Sequence, residues 1–188
     1  MTYNSIYNSF LKSHNNQKHS SDIIIDTLHK IQDVLSTNTD IDDALNIALK
    51  HLSDLTDASR SYIFSIRLDG KSIDNTHEYC KENVLPQIDY LQGLPIVLFP
   101  WWMKKLRNNE LIHIKDVSLL PMEAINEKEM LEDQQIKSLI SFPIFSDTDV
   151  LIGFIGLDNV KKAAEWHEKN IYLLKILSFI ISPYITQK

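Results

Sequence analysis

The stretch from Ile136 to Val160, IKSLISFPIFSDTDVLIGFIGLDNV, limits the folds open to this chain more than any other. Two apolar, β-rich runs, Ser138 to Phe145 and Val150 to Leu157, flank the polar turn Ser146-Asp147-Thr148-Asp149, the pattern of a β-hairpin. Ile140, Phe142 and Ile144 alternate with Leu139, Ser141 and Pro143, so one face of the first strand is wholly apolar and the other mixed. In the second strand Gly153 and Gly156 fall on opposite faces and leave room for a neighbouring element or a ligand to approach the backbone. The hairpin is therefore expected at the centre of an antiparallel sheet, as the floor of a pocket.

Upstream, Ile24, Leu28, Ile31 and Leu35 recur at the spacing of an amphipathic helix entered through Ser20 or Ser21 and stopped near Asn38. Thr39 or Asp40 then caps a second helix, whose Ile41, Leu45, Ala48, Leu49, Leu52 and Leu55 face the sheet. Tyr62, Phe64, Ile66 and Leu68 share one face of a strand that Asp69-Gly70 turns back. Strict alternation along the return strand puts Ile73, Asn75, His77 and Tyr79 on one side and Asp74, Thr76, Glu78 and Cys80 on the other. From Glu82 to Pro100, Pro86, Gly93, Pro95 and Pro100 break the chain too often for a long element, so an irregular crossing over one sheet face is expected. A short helix follows Pro100, then a strand at Leu111 to Ile114 and a charged surface helix from Glu123 to Gln135. A closing helix is marked by Trp166, Leu173, Leu174, Leu177, Ile181 and Tyr184 and weakened at its end by Pro183.

The order of elements predicts an α+β fold, with terminal helices on one sheet face and the excursion covering the other. In a chain of 188 residues with 44% apolar content this is one domain over residues 21–188, preceded by residues 1–20 as a flexible or loosely docked segment. With 19 basic against 25 acidic residues and no basic block, nucleic-acid binding is not expected. The single cysteine, Cys80, excludes an internal disulfide and suits a reducing, cytoplasmic setting. Ile171 to Tyr184, interrupted by Lys175, is shorter than the roughly 20 residues a bilayer requires, so no membrane span is expected.

Several segments together resemble the GAF domain family, in the form found as sensory modules of microbial signalling proteins. They are Ala58 to Phe64, Pro86-Gln87-Ile88-Asp89 with Leu91-Gln92 and Leu94-Pro95, Gln135 to Ile140 before Phe142-Pro143-Ile144, and Gly153 to Asp158 followed by Trp166. The resemblance covers about residues 22–184 and implies an antiparallel sheet of about six strands, a ligand pocket under the excursion and terminal helices that pair two subunits. Members bind cyclic nucleotides, tetrapyrroles, haem or small metabolites, or nothing known. The pattern of cyclic-nucleotide-binding members is not recognisable here. Cys80 lies on a strand rather than where bilin attachment needs a cysteine, and a lone cysteine departs from the methionine sulfoxide reductase branch.

Among individual residues, Glu78 either receives a ligand's donor or sits on the solvated face of an edge strand, while His77 faces the opposite way. Of Trp101 and Trp102, one is expected in the core and the other as a flat wall of the pocket. His113 reads as an ordinary core or surface histidine, and the seven histidines show no metal-binding spacing. Neither Ser138 nor Ser141, on opposite faces of their strand, has the setting of a nucleophile. The expected ligand-facing set is Tyr62, Phe64, Glu78, Tyr79, Trp101, Trp102, Ser138 and Ser141, with no catalytic residue, no metal ligand and no assigned cofactor.

The functional expectation is a non-catalytic sensor of a small molecule that signals through a homodimer of its terminal helices. Its output passes to another signalling protein or to a portion outside this sequence. The rival is a structural or protein-interaction domain whose pocket is filled by its own side chains.

Overall fold

The computed structural model describes residues 18–163 and 165–185. The segment expected to be loose, residues 1–20, lies outside these except for the first turn of the opening helix. That helix, α1 (Lys18–Thr37), begins two or three residues before the expected serines. Asp40 caps α2 (Ile41–Thr56), its carboxylate accepting from the Asp42 and Asp43 amides at 3.0 and 3.1 Å. Asp42 and Asp43 also place negative charge at the helix's positive end.

Six strands follow: β1 (Arg60–Ile66), β2 (Ser72–Cys80), β3 (Leu94–Pro95), β4 (Ile112–Ile114), β5 (Ser138–Phe145) and β6 (Leu151–Asn159). They form one sheet in the order β3-β2-β1-β6-β5-β4, every neighbouring pair antiparallel. The hairpin β5-β6 is present with the expected strands, but the two central strands are β1 and β6, which come from opposite ends of the sheet-forming sequence. Between β3 and β5 lie α3 (Pro100–Arg107) and α4 (Ile125–Asp133), and α5 (Glu168–Ile181) closes the chain, passing into a 3-10 turn at Ser182–Tyr184 where Pro183 ends the α-helix. The two-residue β3 was hidden in the excursion, since a strand that short has no periodicity to read.

Two apolar layers sandwich the sheet. On one face α1, α2 and α5 bury Ile31, Leu52 and Leu174 against Ile63, Ile140 and Leu157. On the other, the excursion with α3 and α4 buries Phe99, Met103 and Leu131 against Phe64, Leu139 and Phe154. The arrangement is α+β as expected, with the terminal helices on one side and the roof on the other. No helix among the described residues is long and apolar enough to cross a membrane.

One irregularity decides which side chains reach the roofed face. Ile63 pairs with His77 but Phe64 pairs with Asn75, so Thr76 is an extra residue in β2. The bulge overturns strict alternation: Ile73 and Asn75 share the roofed face with Glu78, while Asp74 and His77 face the helices.

The glycines of β6 serve the fold. A Cβ at Gly153 would collide with the backbone carbonyl of Phe64, which cannot move without parting β1 from β6; one at Gly156 would meet the Tyr62 ring, a side chain that can give way by disturbing its contact with Phe64 rather than the strand pairing. In urea unfolding, Gly153→Ala is expected to cost about 3 kcal/mol or more and Gly156→Ala about half of that. Equal costs would show that the β1–β6 spacing is not the constraint.

Candidate functional site

The bulge, the Pro100 helix start and the roof together enclose one cavity on the roofed face. Its floor is Tyr62 and Phe64 of β1, Ile73, Asn75 and Glu78 of β2, and Phe154 and Asp158 of β6. Its walls and roof are Leu91, Leu94, Phe99, Trp102 of α3, and Glu127, Met130, Leu131, Gln134 and Ile136. The cavity volume is about 60 Å³, and the hollow is partly open to solvent.

Aromatic contacts make the floor rigid. Phe64 and Phe154 stack at 4.7 Å, Tyr62 meets Phe64 edge-on at 5.7 Å, and Trp102 leans on Phe154 at 5.9 Å. Burial pushes the Tyr62 phenol well above its ordinary pKa, so it stays protonated. Because Pro100 opens α3, Trp102 turns inward and is buried, whereas Trp101 is half-buried at the edge of the roofed cluster with Lys105 Nζ 5.1 Å from its ring centre.

At one end of the cavity lies a buried ion pair. Arg60 Nε donates to both oxygens of Asp158, at 3.1 and 3.0 Å, and both side chains are 2% exposed. The same guanidinium reaches the Leu85 and Gln134 carbonyls at 3.5 and 3.4 Å, one in the excursion and one at the end of α4. Burial pushes the Asp158 carboxyl up to about 6, against the pull of Arg60 and with a further push from Glu78.

Glu78 is a strut for the roof. Its Oε2 accepts from the Gln87 and Ile88 amides at 2.7 and 3.1 Å, and its Oε1 from Asn75 Nδ2 at 3.3 Å. Glu127 accepts from the Trp102 amide at 3.1 Å through Oε1. Three buried polar atoms on the cavity's lining residues have no partner: Asn75 Oδ1, Trp102 Nε1 and Glu127 Oε2.

A second, more polar hollow of about 300 Å³ runs past Asp42, Asp74, His77 and Gln92. Two of its titratable groups are already engaged, Asp74 by Arg67 and the Gly93 amide and His77 by Asp42.

The GAF domain profile matches residues 40–184. The chain belongs to the GAF domain family. No curated protein sequence matches it significantly. Among solved structures it is similar to a far-red absorbing dark-state protein with bound biliverdin (16% identity, 84% of this chain and 98% of that one, TM-score 0.68). It is also similar to the phycocyanobilin-bound GAF domain of a cyanobacterial phytochrome (19% identity, 88% and 93%, TM-score 0.68). A third is the chromophore-binding domain of Stigmatella aurantiaca phytochrome P1 (13% identity, 92% and 62%, TM-score 0.70). At these identities the likeness fixes the fold alone.

Within this GAF domain, Tyr62, Phe64, Glu78 and Trp102 of the expected ligand-facing set line the cavity. The other four do not. Tyr79 packs on the helix side with Lys50 Nζ 5.7 Å from its ring centre, because it stands two residues from His77 beyond the bulge. Ser138 shares the helix-side face of β5 with Ile140, Ser141 is buried with its Oγ donating to the Ile155 carbonyl at 3.2 Å, and Trp101 packs half-buried on the roofed cluster without reaching the cavity. Cys80 is half-buried, is absent from the cavity lining, and has its thiol pushed up to about 12 by burial and then by Glu78, which makes it a poor nucleophile. His113 alternates with Ile112 and Ile114, which face the roof, and so points away from the cavity. No group of three or more metal-ligating side chains occurs among the described residues.

Sequence reasoning missed Arg60, Asn75, Glu127 and Asp158. Arg60 and Asp158 carried a signal, a charge of each sign set inside an apolar β run. Asn75 was hidden by the bulge, and Glu127 by a helix whose charged residues show no clean stripe.

Two outcomes test the ion pair. Arg60→Met is expected to cost about 3–5 kcal/mol because it strands a buried carboxylate, and Arg60→Met/Asp158→Leu to recover most of that, read by denaturant unfolding. Because the native carboxyl titrates near 6 rather than the ordinary 3.8, the native form holds its proton more tightly. Its contribution is full below about 3.8 and is lost as pH rises through about 6, so wild type loses stability relative to Asp158→Asn over that window. A flat difference would place the Asp158 titration elsewhere.

Proposed function

We propose that this GAF domain is a sensory, non-catalytic module that admits a small molecule between sheet and roof and reports it through the helix side of the sheet. The observation that carries the reading is the cavity: a floor of stacked aromatic rings closed by a roof of short segments. Two of the solved structures it resembles hold a bound bilin, biliverdin in one and phycocyanobilin in the other, which supports a small-molecule role for this fold. Covalent attachment at Cys80 is not part of the proposal, given that thiol's place and state.

The route for a signal is short. Along β1, Tyr62 faces the cavity while the adjacent Ser61 donates its hydroxyl to the Leu49 carbonyl of α2 at 2.7 Å. On the other side Ser182, just after α5, donates to the Phe145 carbonyl of β5 at 2.6 Å. A shift of the floor is thereby felt by two terminal helices. Pairing of two subunits through those helices is part of the proposal, but the stripe of Ile24, Leu28, Ile31 and Leu35 offers it no surface, being at most 4% exposed within one chain. What is left for a partner, with a signalling protein as the alternative to a second copy, is Ile23 with the half-buried Ile171, Tyr172 and Ile180.

The second reading, a structural or protein-interaction domain with a filled pocket, is favoured by the small cavity volume, about 60 Å³. A thermal-shift screen of metabolites, nucleotides and tetrapyrroles separates the two. The sensor reading expects at least one compound to raise Tm by several degrees and to lose that effect in Leu91→Trp, which plugs the cavity. No shift with any compound would favour the filled pocket.

A further inference from the structure

Charge and hydrogen bonding around the cavity specify the occupant further than its shape does, and this step rests on the reading above. The lining contains three carboxylates, Glu78, Glu127 and Asp158, and no lysine, arginine or histidine. The nearest cation, Arg60, is committed to Asp158 and to the Leu85 and Gln134 carbonyls. Glu78 is likewise committed, to two roof amides and Asn75. Glu127 differs: one oxygen holds the Trp102 amide, while Oε2 is buried without a partner in a residue 2% exposed. Asn75 Oδ1 is a second orphaned acceptor, in a residue 1% exposed. A buried acceptor left unmade costs the full desolvation of that group, more for a charged one. An anion brought here would meet uncompensated negative charge; an N–H-bearing cation would meet the acceptors it needs.

We propose that the cavity takes a small flat cation carrying N–H donors, an amidinium or protonated aromatic amine, with Glu127 as its counter-charge and Asn75 as a second acceptor. The aromatic floor of Phe64, Phe154 and Trp102 suits the face of such a cation. The one orphaned donor, Trp102 Nε1, would be better met by an uncharged amide than by an amidine, so the neutral analogue is the decisive control.

The test compares benzamidine, benzamide and benzoate, matched in shape and differing in charge, by titration into isotope-labelled protein followed by NMR. The expected result is saturable shifts at the Trp102 indole and the Asn75 side-chain amide with benzamidine, weaker ones with benzamide and none with benzoate. Glu127→Gln keeps an acceptor for the Trp102 amide and removes the charge; it should weaken benzamidine by about tenfold or more and benzamide by clearly less. Its spectrum outside the cavity, unchanged from wild type, reports that the variant is folded. Leu91→Trp, which blocks the cavity without altering its charge, should abolish binding of both. Benzamide or benzoate binding as tightly as benzamidine overturns the cation and leaves the cavity as a ligand site. Benzamidine insensitive to Glu127→Gln, or shifting only surface residues such as Asp89, overturns it too. No cavity shift with any of the three overturns this inference alone; the sensor reading stands or falls on the thermal-shift screen.

Discussion

The contact on which the roofed half depends is the ion pair between Arg60 and Asp158. The two residues are register partners on the central strands β1 and β6, and the guanidinium extends from the sheet to carbonyls at both ends of the roof. An isolated charge in so dry a place would be prohibitive, and even a pair roughly breaks even against apolar side chains of the same volume. Its contribution is therefore geometric: it fixes where Leu85 and Gln134 stand over the floor, and with them the segments that frame the cavity. Glu78 repeats the device a strand away, holding the Gln87 and Ile88 amides.

A sheet with two unlike faces lets one strand serve both halves. Along β1, Arg60, Tyr62 and Phe64 serve the cavity while Ser61 and Ile63 serve the helices. This alternation is why the division of labour was legible in the sequence. The stripes of Ile24, Leu28, Ile31 and Leu35 and of Ile140, Phe142 and Ile144 named the helix face, and the prolines and Gly93 of the excursion named the roof. What the stripes did not say is how many copies they serve; one chain buries all of the first.

The site was legible only in part, and each failure has a local cause. Tyr62 and Phe64 followed from periodicity, and the tryptophan pair was marked by Pro100 without a sign of which ring turns inward. Periodicity broke at Thr76, where one extra residue moved Asn75 to the cavity and left Tyr79 on the helix side. Glu127 sits in a helix whose other acidic residues are solvated, and its burial goes with a contact remote in sequence, the Trp102 amide of α3 that its carboxylate accepts. The glycines promised room for a ligand, and in the structure that room is taken by the Phe64 backbone and the Tyr62 ring.

If the ion pair positions the roof rather than stabilising the fold as a whole, removing both charges at once must loosen the roof selectively. Amide hydrogen exchange on Arg60→Met/Asp158→Leu measures this directly. The expected result is faster exchange at roof amides such as Val84, Gln87, Ile88 and Ile136, with the amides of α2 and α5 protected as in wild type. Roof and helix amides that accelerate together, or a roof that exchanges as slowly as before, would contradict it.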